Sequence, residues 1–84
     1  MNKDERQIFI KKLVYRATHR GCKENDLLLS SFLNNNLKCF SDQELLDFAL
    51  ILECNDNDIY KWIMNTKLCP KHLNKKLINM LRNI

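Results

Sequence analysis

Arg20-Gly21-Cys22-Lys23-Glu24 stands between two helical patterns and holds the only glycine in a chain of 84 residues. A glycine after a long amphipathic run, with an acidic first turn beyond it, reads as a helix stop in the left-handed region followed by a fresh start. This is the one place where a positive φ is expected. The same five residues set a guanidinium, a bare stretch of backbone, an ammonium and a carboxylate side by side. Such an elbow can offer both signs of charge to a partner. The plainer reading is a capped helix end with solvated surface charges.

Toward the N-terminus, Phe9, Ile10, Leu13, Val14 and Ala17 recur at three and four residues, the spacing of one helix stripe from Asp4 to His19. Asp4 and Glu5 suit the positive end of that helix, and Arg16, His19 and Arg20 suit its negative end. Lys12, Arg16 and His19 share a second face that leads directly into the elbow. Beyond it, a second helix is expected from about Cys22 to Asn35, with Glu24 and Asp26 in its first turn. Its Leu28, Leu29, Phe32 and Leu33 face inward. The run Asn34-Asn35-Asn36 should end it, because these amides compete for backbone groups. Leu37 and Phe40 then return to the core.

Ser41-Asp42-Gln43-Glu44 has the form of a capping box, and from Leu45 to Leu52 every residue but Asp47 is apolar. The third helix should therefore be the hub, enclosed on most sides. Asn55-Asp56-Asn57-Asp58 makes a turn and caps a short fourth helix, Ile59 to Asn65, with Trp62 as a core anchor. Pro70 suits the first turn of a fifth helix, in which Leu73, Leu77, Met80, Leu81 and Ile84 lie opposite Lys71, Lys75 and Arg82. The expected fold is all-α, a compact five-helix bundle occupying residues 1–84 as one small domain.

One Gly and one Pro leave little turn material for a β fold. The longest mostly apolar run falls far short of the ~20 residues a membrane span needs, so a soluble chain with no span is expected. The first six residues carry acids and no apolar core of a leader, which points to a cytosolic protein, most simply bacterial. The net charge of +4 is zoned. Residues 41–60 hold six acids and no Lys or Arg, and residues 61–84 hold six bases and no acid. Internal pairing between these zones is the bland explanation, and a surface divided by sign also suits a protein partner.

Four cysteines are spread without a C-x-x-C pair, as expected of small reduced residues in a cytosolic chain. His19-x-x-Cys22 and Cys69-x-x-His72 together supply a zinc ligand set, but in mirror-image motifs without finger spacing, and no metal site is expected. Asp56-Asn57-Asp58 lacks the glycine and closing glutamate of a calcium loop. No helix interleaves basic and aromatic residues on a reading face, so nucleic acid is not the expected partner; a small basic helical nucleic-acid or general interaction module is the alternative. Neither histidine has a nucleophile beside it, and no enzyme is expected.

Two blocks carry a family resemblance. Arg20-Gly21-x-x-Glu24, preceded by Leu13-Val14-Tyr15 and followed by Asn25-Asp26, resembles the R-G-x-x-E signature of the small succinate dehydrogenase assembly factors, or flavinylation factors. Leu52-Glu53-Cys54-Asn55-Asp56-Asn57-Asp58-Ile59-Tyr60-Lys61-Trp62 is similar to that family's second conserved-looking stretch. The resemblance spans Leu13 to Asn65, with Cys22 where methionine is usual. It implies a five-helix chaperone-like domain, monomeric and with no active site of its own, found in bacterial cytoplasm and mitochondrial matrix. Such a domain binds the flavoprotein subunit of succinate dehydrogenase, with the fumarate reductase flavoprotein as a further client. It promotes covalent attachment of FAD, which belongs to the client. Carried over, the interaction residues are Arg20, Gly21 and Glu24, with Arg16, His19 and Lys23 as rim contacts by position.

Overall fold

The computed structural model describes residues 1–83 and contains five α-helices: α1 (Lys3–Thr18), α2 (Lys23–Asn36), α3 (Asp42–Leu52), α4 (Asp56–Ile63) and α5 (Lys75–Arg82). A 3-10 turn, Leu37–Cys39, joins α2 to α3, and no strand occurs among the described residues. Polar caps set four of the five starts. Asn2 accepts from the Glu5 amide at 2.8 Å, and Asn55 accepts from the Asp58 amide at 2.8 Å. Asn74 accepts from the Lys76 amide at 2.9 Å. Ser41 and Glu44 form the capping box in both directions. The exception is α2, whose N-cap residue Cys22 makes no side-chain capping bond. Its start is held by longer-range ties.

The core gathers one face of every helix. Leu13 and Ala17 from α1 join Leu29, Phe32 and Leu33 from α2, and Leu45, Phe48, Ile51 and Leu52 from α3. Ile59 and Trp62 from α4 and Leu77, Ile78 and Leu81 from α5 complete it. Phe32 stacks on Phe48 with ring centroids 5.5 Å apart, and Phe40 tilts against Phe32 at 5.6 Å. Each such ring contributes roughly 2 kcal/mol through burial alone. Trp62 is the expected anchor, 2% exposed, although its indole N–H finds no acceptor.

Several boundaries and environments differ from expectation. Helix α1 ends at Thr18, not at the glycine. The Thr18 hydroxyl donates to the Val14 carbonyl at 2.9 Å, and His19 Nδ1 lies 2.9 Å from the Tyr15 carbonyl, so side chains serve its last acceptors. Gly21, at φ 83°, is instead the corner between the two helices. Helix α2 continues through all three asparagines, because the Asn36 amide donates back to the Phe32 carbonyl at 2.8 Å and so does not compete with the helix. Helix α3 is amphipathic and not enclosed. Leu46 and Leu50 are 46% and 42% exposed, on the side its neighbours do not cover.

A second left-handed residue exists. Asn65, at φ 59°, closes α4 with the Thr66 amide donating to the Lys61 carbonyl and the Asn65 amide to the Trp62 carbonyl, the double bond pattern of a left-handed helix stop. Pro70 does not begin the fifth helix. It opens a turn in which the Leu73 amide donates to its carbonyl, and α5 starts five residues later, where Asn74 supplies the capping oxygen that proline lacks. Ile84, assigned from the sequence to the last stripe, lies outside the described residues.

Part of the charge zoning is internal. Lys67 pairs with Asp58 at 3.1 Å and Lys76 with Glu44 at 3.5 Å, so the basic segment does lie against acidic helix starts. Asp42 meets both Arg6 and the amino terminus. These contacts hold the carboxyls below their ordinary range: Asp42 chiefly through its bond from the amino terminus, Asp58 through Lys67, and Glu44 through the Ser41 amide. They are surface pairs, and each adds little to stability.

Candidate interaction site

The elbow is braced from beneath by the arginine that the sequence places on its surface. The Arg20 side chain is only 10% exposed. Its Nε donates to the Asp56 carboxylate, one Nη donates to the Leu52 carbonyl at 2.7 Å, and the other donates to the Cys54 carbonyl. A guanidinium has five donors in a fixed fork, and here the fork closes on the last residue of α3, the short link after it and the first turn of α4. Arg20 is thus not a free cation of the elbow. Its own amide donates to Asp26 at 3.1 Å, which fixes the backbone just before the corner.

Asn25 completes the brace. It is fully buried, and its amide nitrogen donates to the Asp56 carbonyl at 2.8 Å and to the Asp56 carboxylate at 3.3 Å, while its oxygen has no partner among the described residues. One carboxylate therefore binds both the elbow and the first turn of α2. This explains why α2 can start on Cys22 without a side-chain cap. The two blocks that carry the family resemblance are one physical unit, clasped at Asp56.

What the elbow shows to solvent is different. Gly21, Lys23 and Glu24 are exposed. Nothing lies within 4 Å of where a Cβ on Gly21 would sit, so φ alone demands glycine within this fold. The Glu24 carboxylate accepts from the Cys22 thiol at 3.6 Å and has no cation beside it among the described residues. Arg16 is exposed on α1 and unpaired among the described residues, whereas His19 folds back to stack on Tyr15 with ring centroids 4.1 Å apart. An open cleft of about 420 Å³ adjoins the corner, lined by Cys22, Glu24, Asp56, Asn57 and Tyr60. Sequence reasoning read Asp56 and Asn57 as part of a turn and helix cap, and placed neither them nor Asn25 or Tyr60 at the elbow. The one available signal was the resemblance of both blocks, quoted side by side without a contact between them.

His19, Cys22, Cys69 and His72 do not converge, and no group of three or more His, Cys, Asp or Glu side chains among the described residues is placed to hold a metal ion. Burial pushes the Cys54 thiol above its usual range, which makes it a poor nucleophile. No described helix is long and apolar enough to cross a membrane.

The exposed glycine corner, braced by the part-buried Arg20–Asp56 ion pair, stands on a small all-helical bundle. Residues 11–84 match the family described as flavinator of succinate dehydrogenase, and the chain belongs to that family. Its relatives are named as assembly factors and not as enzymes. A mitochondrial succinate dehydrogenase assembly factor 2 from Dictyostelium discoideum is 34% identical over 73 residues, covering 87% of this chain and 52% of that protein. The corresponding 2-A protein of Drosophila mojavensis is 37% identical over 84% of this chain and 46% of its own length. The 2-B protein of Drosophila melanogaster is 33% identical over 84% and 47%. The chain thus spans about half the length of the curated relatives it matches. These names are those of mitochondrial proteins and give no support to the bacterial, cytoplasmic assignment made from the first residues. No solved structure matches the chain.

Proposed function

We propose that the chain binds the flavoprotein subunit of succinate dehydrogenase through its elbow and promotes covalent attachment of FAD there. The related fumarate reductase flavoprotein is a second client by the same chemistry. FAD belongs to the client, the flavin chemistry is the cofactor's, and this chain contributes position. The family description and the names of the relatives support succinate dehydrogenase as the setting. The observation that carries the role of the elbow is the bare backbone at Gly21, exposed and uncrowded, with the unpaired Glu24 carboxylate beside it. A client backbone can approach that corner closely, and Glu24 can accept from a donor that becomes desolvated on contact. Lys23, Arg16 and His19 form the rim. Arg20 acts through the elbow it holds in place.

Glu24→Ala should leave a folded monomer, since a first-turn carboxylate is worth about 0.3 to 1 kcal/mol to its helix. If Glu24 pairs with a desolvated client group, the same change costs ~2 to 5 kcal/mol of binding, more than tenfold in affinity. The assay mixes each variant with apo-flavoprotein and FAD, follows covalent flavin fluorescence on a denaturing gel, and runs a thermal melt of the variant alone. Gly21→Val should be worse than Glu24→Ala. Full flavinylation by a well-folded Gly21→Val, Glu24→Ala double variant would overturn the elbow as the docking element.

A further inference from the structure

The groove between residues 68–71 and α5 belongs to none of this. It has a volume of about 280 Å³ and is lined by Leu68, Cys69 and Lys71 on one side and by Lys75, Ile78, Asn79 and Arg82 on the other. Its floor is buried Ile78, and Leu68 stands at its rim, 89% exposed. The charged residues that line it, Lys71, Lys75 and Arg82, are all positive. Two of the segment's lysines serve the fold, Lys67 on Asp58 and Lys76 on Glu44. Lys71 and Lys75 have no acidic partner among the described residues.

Lys75 is a cation where a helix start favours acids. It is the first residue of α5, at the positive end of the helix dipole, and no acid stands in that first turn. The acids that meet this helix start are taken up by its other residues, Asp47 by the Asn74 side chain at 2.9 Å and Glu44 by Lys76 at 3.5 Å, and Lys75 is left without a carboxylate among the described residues. Arg82 is already oriented: its Nε donates to the Trp62 carbonyl at 2.7 Å and an Nη donates to Asn79 at 3.1 Å. A preset guanidinium loses little freedom when it takes up a carboxylate.

We propose that this groove docks an acidic segment of a partner protein that carries an apolar side chain. Carboxylates meet Lys71, Lys75 and Arg82, and the apolar side chain covers Leu68 and reaches the Ile78 floor. A flat anionic membrane would touch the rim cations and leave the floor uncovered, so the concave shape favours a segment. The surface is separate from the elbow, because Asp56 at the start of α4 holds the elbow and Trp62 near its end holds Arg82. The proposal stands whether or not the elbow binds a flavoprotein.

The test is fluorescence anisotropy with a short labelled peptide rich in Asp and Glu around a central Leu. The same peptide with amides in place of acids, and phosphatidylcholine vesicles containing phosphatidylserine, are run alongside. The acidic peptide should bind, the amide peptide should not, and Lys71→Glu with Lys75→Glu should weaken binding at least ~tenfold. Lys3→Glu with Lys38→Glu makes the same change in net charge at exposed sites elsewhere and should alter binding less than about twofold. Leu68→Ser should weaken binding as well. Equal losses in the two double variants, no binding by the wild-type chain, or binding to vesicles without binding to the peptide would each overturn the proposal.

Discussion

The link between α1 and α2, residues 19–22, and the link between α4 and α5, residues 64–74, differ in how they are held. The first is short and tied from below by Arg20, Asn25 and Asp56, with donors reaching residues more than thirty positions away. The second is long and has fewer distant ties: the left-handed stop at Asn65, the Pro70–Leu73 turn, the exposed pair of Lys67 with Asp58, buried Leu73, and one bond to α3 in which the Asn74 side chain donates to Asp47 at 2.9 Å. Both expose chemistry to solvent. The first presents it on a frame of several long-range bonds that converge on one carboxylate, which is the firmer support for the docking role proposed above.

Removing the brace should have the largest effect. Arg20→Ala strands the Asp56 carboxylate, 26% exposed, together with two carbonyls, and should cost about 3 kcal/mol. A urea titration reads this, and a loss below about 1 kcal/mol would break the contrast between the two links. Gly21→Ala comes next. No atom obstructs the new methyl, so the cost is that of holding an L-residue at φ 83°, about 1 kcal/mol, with Gly21→Val higher. Equal stability of wild type and Gly21→Ala would show that the corner relaxes easily.

A smaller effect should follow pH. The carboxyls of Asp42, Glu44 and Asp58 titrate below their unfolded values, so their contribution is present above about pH 4 and is lost as the pH falls through their folded values. Melting temperature should therefore drop between about pH 5 and pH 3, and Asp58→Asn should flatten part of that drop by removing the Lys67 tie of the second link. An undiminished slope in Asp58→Asn would assign the drop elsewhere. The smallest effect belongs to Leu68→Ser, which removes an almost fully exposed side chain and should change stability by less than about 0.5 kcal/mol. A larger loss would mean that the second link is packed more firmly than its exposure indicates.

The contrast also explains what could be read from the residues alone. Ser41 and Glu44 announce their helix because both partners of the capping box lie within four residues. The stripes of Leu13, Leu29 and Phe32 are legible because helical period sorts them onto one face of each helix. Arg20 was misread as a surface charge because its acceptors lie thirty-two to thirty-six residues away, and no local pattern brings α4 to the elbow. Asn25 was passed over for the same reason, since a polar residue in a first turn gives no sign of full burial. Leu46 and Leu50 were read as enclosed because an apolar run cannot tell which of its sides neighbours will cover. Pro70 was read as a helix start by its own preference, while the start belonged to Asn74, whose side chain can cap.

The Arg20 to Asp56 tie also has a bearing on time. Helices capped by their own neighbours can form early, but the elbow takes its shape only once the first turn of α4 arrives, across a chain separation that is slow to close. The elbow is then completed later than the helices it joins. Arg20→Ala should accordingly speed unfolding far more than it slows folding in a denaturant-jump experiment, and an equal split between the two rates would argue otherwise. A chain that has not finished folding has no elbow to offer, so a client would meet the complete corner only on finished copies.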